Sequence, residues 1–263
     1  MKNKNIDDGR SFDWGRTSSD YAKYRDIYPK EMYDKILSWN LCTYDCKVLD
    51  LGTGTGVFPR NMYKYGADFT GVDISENQIA QAKRLSDEHN MNIKYYVSEV
   101  EKIDFLENTF DVITAFTCFF YFDHKKLLPV IKKVLKPGGH LLIGYLAWLP
   151  FEDRIAGESE KLILKYNPNW TGAGERRRPV DVPDIYNKYF DIVHNEYFDV
   201  QIPFSIKSWN GRIKACRGVG ASLSGEEIID FEKEHLQMLN RMTENKFTIL
   251  HNVALVDLKL KES

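Results

Sequence analysis

Lys47 to Leu51 (KVLDL) run directly into Gly52-Thr53-Gly54-Thr55-Gly56. A short apolar run closed by glycines at alternate positions reads as a strand ending in a tight turn, and the helical spacing from Phe58 to Tyr65 supplies the next element. Glycine lets backbone approach a ligand without Cβ interference, and the start of the following helix offers unpaired N–H groups. A strand–turn–helix junction of this kind commits the chain to βαβ units, because parallel strands need a helical crossover between them.

The downstream pattern agrees. Asp68 to Val72 and Ile93 to Val97 read as strands, with a helix over Ser75 to Asn90 between them. Ser75 is the expected N-cap, and Gln78 stands three residues on in a capping-box arrangement. Phe110 to Phe116 and Leu141 to Tyr145 are further strands, and the helix from Lys125 to Leu135 should stop at Pro137-Gly138-Gly139. Before the glycine turn, apolar and aromatic residues from Asp20 to Asn40 recur at helical spacing with a break at Pro29, while residues 1–20 read as a loose polar arm. After Trp148 the spacing predicts helices over Phe151 to Tyr166, Ile185 to Phe190, Ile206 to Arg217 and Gly225 to Met242. Strands are expected over Val193 to Ile202 and Phe247 to Leu260. The expected class is therefore α/β, a Rossmann-like doubly wound sheet, mostly parallel with an antiparallel final strand.

Two acids define the ligand. Counting from Gly52, the dinucleotide fingerprint GxGxxG would need its third glycine at Val57. The spacing here is GxGxG, with Asp50 two residues before the first glycine. A carboxylate repels a pyrophosphate and attracts an ammonium group, so an amino-acid-bearing nucleoside fits better than a dinucleotide. Asp73, in Gly71-Val72-Asp73-Ile74, ends the second strand, where a carboxylate can accept both ribose hydroxyls.

Taken together, VLDLGTGTG, GVDIS, Ser98 to Phe105 (SEVEKIDF), FDVITAF and VLKPGGHLLI resemble, in order and spacing, the motifs of the class I S-adenosylmethionine-dependent methyltransferases over residues 45–146. The third-strand GD common in that family is Ser98-Glu99 here. The resemblance implies N-terminal lid helices over residues 1–44 and a methyltransferase domain over residues 45–263, with inserted helical cap segments at about residues 150–183 and 205–245. It implies S-adenosylmethionine as cofactor and S-adenosylhomocysteine as product. Asp50, Gly52, Thr53, Gly54 and Gly56 would surround the methionine portion, and Asp73 would hold the ribose. Ile74, Val100 and Glu101 would border the adenine, with Glu99 beside them, Gln78 would also lie at the cofactor, and Ala115 and Phe116 would lie near the amino acid and the transferred methyl. The run Tyr21 to Pro29 is similar to the family's lid helix, in which Tyr21 or Arg25 would meet the cofactor carboxylate. Candidate acceptor-binding residues are Tyr121, Trp148, Trp209, Arg212 and Arg217, arginines in the cap suiting an anionic acceptor. No catalytic residue is assigned, because displacement at an activated methyl needs orientation more than a fixed base.

Bulk properties narrow the partners. Across 263 residues the formal net charge is −2, so no global field recruits nucleic acid, and Arg176-Arg177-Arg178 is the main basic cluster. Four cysteines without CxxC spacing argue against zinc and against a disulfide scaffold, and no metal is expected. Without a secretion signal or an apolar membrane span, the chain reads as a cytoplasmic enzyme acting on a small molecule. A nucleic-acid methyltransferase and a non-catalytic S-adenosylmethionine-binding protein remain the alternatives.

Overall fold

The computed structural model describes residues 6–262. Seven strands form one sheet in the order β3-β2-β1-β4-β5-β7-β6. They are β1 (Lys47–Leu51), β2 (Asp68–Asp73), β3 (Lys94–Val97), β4 (Phe110–Phe116), β5 (Leu135–Trp148), β6 (Phe190–Ser205) and β7 (Lys246–Leu260). β1 pairs in parallel with β2 and β4, β2 with β3, and β4 with β5, while β7 runs antiparallel between β5 and β6. The helices are α1 (Ser18–Tyr24), α2 (Lys30–Ser38), α3 (Val57–Met62), α4 (Glu76–Glu88), α5 (His124–Val134), α6 (Arg154–Tyr166), α7 (Ile206–Lys214) and α8 (Gly225–Met242). The expected α/β class, mostly parallel with an antiparallel last strand, is the one observed. Among the described residues no helix is long and apolar enough to cross a membrane.

The chain divides into two compact units. The sheet unit comprises Tyr28–Leu146, Arg178–Phe198 and Val253–Ser263 (described to Glu262). The helix-rich unit comprises Met1–Ile27 (described from Ile6), Ala147–Arg177 and Asp199–Asn252.

In the sheet unit the period of two along each strand builds two cores. Leu49, Leu51, Ile113, Ala115, Leu141 and Ile143 pack with Leu127, Ile131 and Val134 of α5. On the opposite pleat Phe116 stacks on Phe58 of α3 with centroids 4.1 Å apart, and Tyr33 of α2 stacks on the same Phe58 at 6.2 Å. Ser75 caps α4 by accepting from the Gln78 N–H, but the reciprocal side-chain bond of a capping box is absent. Pro137-Gly138-Gly139 does more than end α5: β5 already begins at Leu135, and the register with β4 jumps from Phe110↔Leu135 to Val112↔His140. The extra residues form a bulge, with Gly138 at φ +68°. The helix expected over Ile185 to Phe190 shrinks to a single 3-10 turn at Asp184–Tyr186, because Phe190 already belongs to β6.

In the helix-rich unit α6, α7 and α8 share a buried hydrogen-bond chain. The Trp209 indole N–H donates to Ser159 Oγ at 2.9 Å, Ser159 Oγ lies 2.9 Å from His235 Nε2, and His235 Nδ1 lies 2.8 Å from Asn210 Oδ1. Asn210 Nδ2 in turn donates to Glu232, which fixes the amide orientation and makes its Oδ1 the acceptor. His235 Nδ1 therefore carries the proton, and burial keeps the imidazole neutral by pushing its pKa down to about 3.

The described part of the N-terminal arm is not loose. Asp7 is buried, its Oδ1 accepts from the Thr171 backbone N–H at 2.7 Å and from the Thr171 hydroxyl at 3.0 Å, and its Oδ2 forms an ion pair with Arg217. Arg10 donates to Asn167 and to the Ser222 carbonyl, and Arg16 donates to the Leu223 carbonyl. The polar residues that looked like solvent-facing arm are the partners of buried groups far along the chain.

Candidate functional site

The sheet reverses direction of build at β1: the chain adds β2 and β3 on one side, then returns to place β4 on the other. A crevice opens at such a switch point, at the carboxyl ends of the strands. The glycine turn sits there. Gly52, Gly54 and Gly56 have φ of +62°, +55° and +73°, a region side chains with Cβ avoid. The turn is tied to β2 through the Thr53 N–H and the Val72 carbonyl, 2.9 Å apart. A Cβ on Gly52 would lie 2.8 Å from Cys118 Sγ, so this stretch of backbone must stay bare. Gly52→Ala should therefore cost about 1–2 kcal/mol in backbone strain alone. That corresponds to a thermal midpoint roughly 2–8 °C lower for a chain of this size. A melt within 1 °C of wild type would show that the turn tolerates a side chain.

The register places Asp50 opposite Thr114. The Thr114 hydroxyl donates to Asp50 Oδ1 at 2.6 Å, and the carboxyl is 2% exposed. Burial is the main cause that pushes its pKa up to about 7, the nearby Asp73 adding to it and the threonine hydroxyls opposing it. Asp73 is oriented by two backbone amides: Oδ2 accepts from the Gly54 N–H and Oδ1 from the Ser75 N–H, each at 2.9 Å. Burial raises its pKa against those bonds. Thr55 Oγ1 is buried in the turn and has no hydrogen-bond partner among the described residues.

The other predicted residues of the sheet unit are placed as follows. Ile74 beside Asp73 is 46% exposed, an apolar side chain open to solvent next to the carboxylate. Gln78 and Val100 are buried. Glu99 forms a surface ion pair with Lys102. Glu101 accepts from the Asp123 backbone N–H at 2.9 Å, which ties the turn after β3 to the start of α5. Ala115 is fully buried, and Phe116 has its ring housed over Gly144, where a Cβ would come within 2.0 Å. Tyr121 stands in the 3-10 turn after β4, its ring 4.2 Å from that of Phe120. Sequence reasoning missed Thr117. It holds φ +57° at the end of β4, and its hydroxyl is 3.3 Å from that of Tyr28. A β-branched residue in the left-handed region is a genuine outlier, and no sequence pattern announces it.

In the helix-rich unit Arg25 lies over the Tyr21 ring at 4.5 Å. Trp148, Trp209 and Arg212 come together: the two indoles are 5.8 Å apart and edge-on, and the Arg212 guanidinium lies 5.0 Å above Trp148. Arg217 is held by Asp7 and Thr171 instead. His251, inside β7, belongs to the Trp209 cluster, and its place in an apolar alternation gave no sign of this. Among the described residues no cluster of His, Cys, Asp or Glu could hold a metal ion.

A bare left-handed turn flanked by the carboxylates of Asp50 and Asp73 thus sits at the switch point of a Rossmann-like sheet. The methyltransferase domain family matches residues 49–143. The match thus falls on the same stretch that carries the sequence motifs. The chain is 31% identical over 168 residues to a ubiquinone biosynthesis O-methyltransferase of Bradyrhizobium diazoefficiens, covering 63% of this chain and 64% of the relative. It is 35% identical over 99 residues to phosphoethanolamine N-methyltransferase 2 of Caenorhabditis elegans, covering 36% of this chain and 23% of the relative. The chain thus spans less than two thirds of the length of these curated relatives. Among solved structures, the YcgJ protein of Bacillus subtilis matches with a TM-score of 0.53 at 17% identity, covering 89% of this chain and 100% of that one. The [4+2]-cyclase SpnF matches with a TM-score of 0.53 at 15% identity, covering 89% and 81%. These likenesses establish the fold, and SpnF shows that one fold carries more than one chemistry.

Proposed function

We propose that this chain transfers the methyl group of S-adenosylmethionine to a small-molecule acceptor. The observation that carries the reading is the buried carboxylate of Asp50 and the half-buried one of Asp73, bracketing the bare glycine turn. The site fits the cofactor. Asp50 offers a low-dielectric counter-charge to an ammonium, Asp73 has lone pairs for ribose hydroxyls, and Thr55 Oγ1 has unused hydrogen-bonding capacity. Bound there, S-adenosylmethionine supplies a methyl carbon already activated by a sulfonium. The chain then has to orient the acceptor and exclude water, which the aromatic surroundings of Phe116 and Tyr121 favour. Relatives named for ubiquinone biosynthesis and for phosphoethanolamine support a small acceptor. Free thiols at all four cysteines fit a cytoplasmic setting.

Titrating the purified chain with S-adenosylhomocysteine, with NAD and NADP as controls, tests the cofactor. Asp50 adds a proton signature. Its folded pKa lies above the ordinary carboxylate value, so the free protein binds a proton there below about pH 7. An ammonium partner favours the carboxylate, so binding near pH 6 should release a proton, and affinity should rise with pH until Asp50 ionises unaided. Calorimetry in two buffers of different ionisation enthalpy reads that release, and Asp50→Asn should abolish it. Binding of a dinucleotide in place of S-adenosylhomocysteine would defeat the assignment. Binding of S-adenosylhomocysteine with no methyl transfer across acids, amines, thiols, phenols and nucleic acids would leave a non-catalytic binding protein.

A further inference from the structure

One row of the sheet leads into the glycine turn. The register of β4, β1, β2 and β3 sets Thr114, Asp50, Gly71 and Tyr95 side by side. Thr114 and Asp50 are joined by their hydrogen bond, and Gly71 leaves a gap in the row. Glycine inside a strand weakens it, and its usual reason is the close approach of another group. Here a Cβ on Gly71 would lie 2.8 Å from Tyr95 Cδ1 and 2.8 Å from Thr53 Oγ1. The Tyr95 ring thus lies over the bare backbone of β2, beside a side chain of the turn.

The far end of that ring meets the last glycine of the turn. A Cβ on Gly56 would collide with the Tyr95 hydroxyl and stand 3.0 Å from ring carbon Cζ, so the phenol rests against bare backbone. Gly56, at φ +73°, is the N-cap of α3. The rest of the ring belongs to α4. It packs with Ile79 and Ala82, and its hydroxyl lies 3.1 Å from Ser86 Oγ. Tyr95 and Ser86 are both buried, so water does not compete for that bond. Burial pushes the phenol up to about 12, which keeps it protonated and uncharged beside the turn.

A turn with three glycines in five positions has little stiffness of its own, because glycine loses the most freedom on ordering. If it moved, a ligand would have to order it, and affinity would fall. Arg60 Nε donates to the Thr55 carbonyl at 3.2 Å, but that bond ties the turn only to its own helix. α4 supplies an outside hold through Asp73, which joins the Ser75 N–H to the Gly54 N–H. Tyr95 extends that hold to Gly56.

We infer that Tyr95 is a positioning residue for the cofactor: braced by Ser86 of α4, its hydroxyl fixes Gly56 and keeps the α3 end of the glycine turn in the shape that receives S-adenosylmethionine. The inference rests on the methyltransferase reading and deepens it. Tyr95 acts through the backbone of the turn and needs no contact with the ligand.

The test uses the full chain, S-adenosylhomocysteine, and the variants Tyr95→Phe, Ser86→Ala and the two combined. Calorimetry well below the unfolding midpoint reads affinity, and glycine amide resonances read the turn in the free protein. Tyr95→Phe should weaken binding by about three- to tenfold, the range of one hydrogen bond. It should also move the Gly56 amide resonance and leave those of Gly66 and Gly138 in place. Ser86→Ala should weaken binding by the same amount or less. The two hydroxyls work as one unit, so the double variant should bind within about twofold of Tyr95→Phe alone. Losses that multiply in the double variant would overturn the inference. So would variants that melt lower yet keep wild-type affinity and the wild-type Gly56 resonance, since Tyr95 would then serve stability alone. In that case binding by the wild type leaves the methyltransferase reading standing. If the wild type binds no S-adenosylhomocysteine, the cofactor reading falls instead; a shifted Gly56 resonance then still supports the brace, and an unshifted one overturns it.

Discussion

Asp7→Ala is expected to destabilise the helix-rich unit by about 3–5 kcal/mol, because it strands the buried Arg217 guanidinium without its counter-charge. At roughly 2–4 °C per kcal/mol this lowers the unfolding midpoint by roughly 6–20 °C. The ion pair is one of proximity rather than an aligned hydrogen bond, yet Asp7 also holds the Thr171 backbone and hydroxyl. Losing the carboxylate removes all three contacts at once. Arg217→Met in the same background should recover part of the loss, since the stranded charge goes with it. Thermal melts of the two single variants and the double variant form the cycle. A shift below 2 °C for Asp7→Ala would mean that Arg217 finds another anion and that the arm is held elsewhere.

Asp73→Ala should weaken S-adenosylhomocysteine binding by about 100-fold, the equivalent of roughly 2.7 kcal/mol, as hydrogen bonds to a charged acceptor are worth about 1.5–3 kcal/mol each. Two losses combine. The ribose hydroxyls lose their acceptor, and the Gly54 and Ser75 amides lose the carboxylate that couples the glycine turn to the start of α4. Asp73→Asn keeps one carbonyl oxygen and should fall between alanine and wild type. Calorimetric titration of the three proteins decides it. Affinities within threefold of each other would remove Asp73 from the ribose site and leave it a turn-ordering residue alone.

How far the sequence foretold this structure depended on how local each interaction was. β1, β2, β4 and α5 were legible because their periodicity is written in consecutive residues, and the glycine turn because left-handed backbone narrows the choice of residue. Ser75 as N-cap was visible for the same reason. Asp7 was not, since its partners at Thr171 and Arg217 lie far along the chain and an acidic N-terminal residue looks solvated by default. Pro137-Gly138-Gly139 signalled an interruption but not its kind, because a helix stop and a bulge use the same residues. Of the candidate site, Asp50 and Asp73 stood out by position, whereas Thr114 and Thr117 take their places through strand register and backbone strain, neither of which has a spacing to read.

The place of β7 has a consequence for how the molecule is made. It is the last strand in the chain, yet it lies between β5 and β6, and β6 has no other neighbour in the sheet. While the polypeptide emerges, the parallel half can zip up from β1 to β5, but β6 must wait without a partner strand. That strand carries Ile192, Val193 and Tyr197, which stay half-exposed even in the finished fold. Unpaired edges with apolar side chains invite pairing with other chains. The interval between synthesis of β6 and arrival of β7, with α7 and α8 made in between, is thus the stage at which a nascent chain is most open to aggregation and to capture by chaperones.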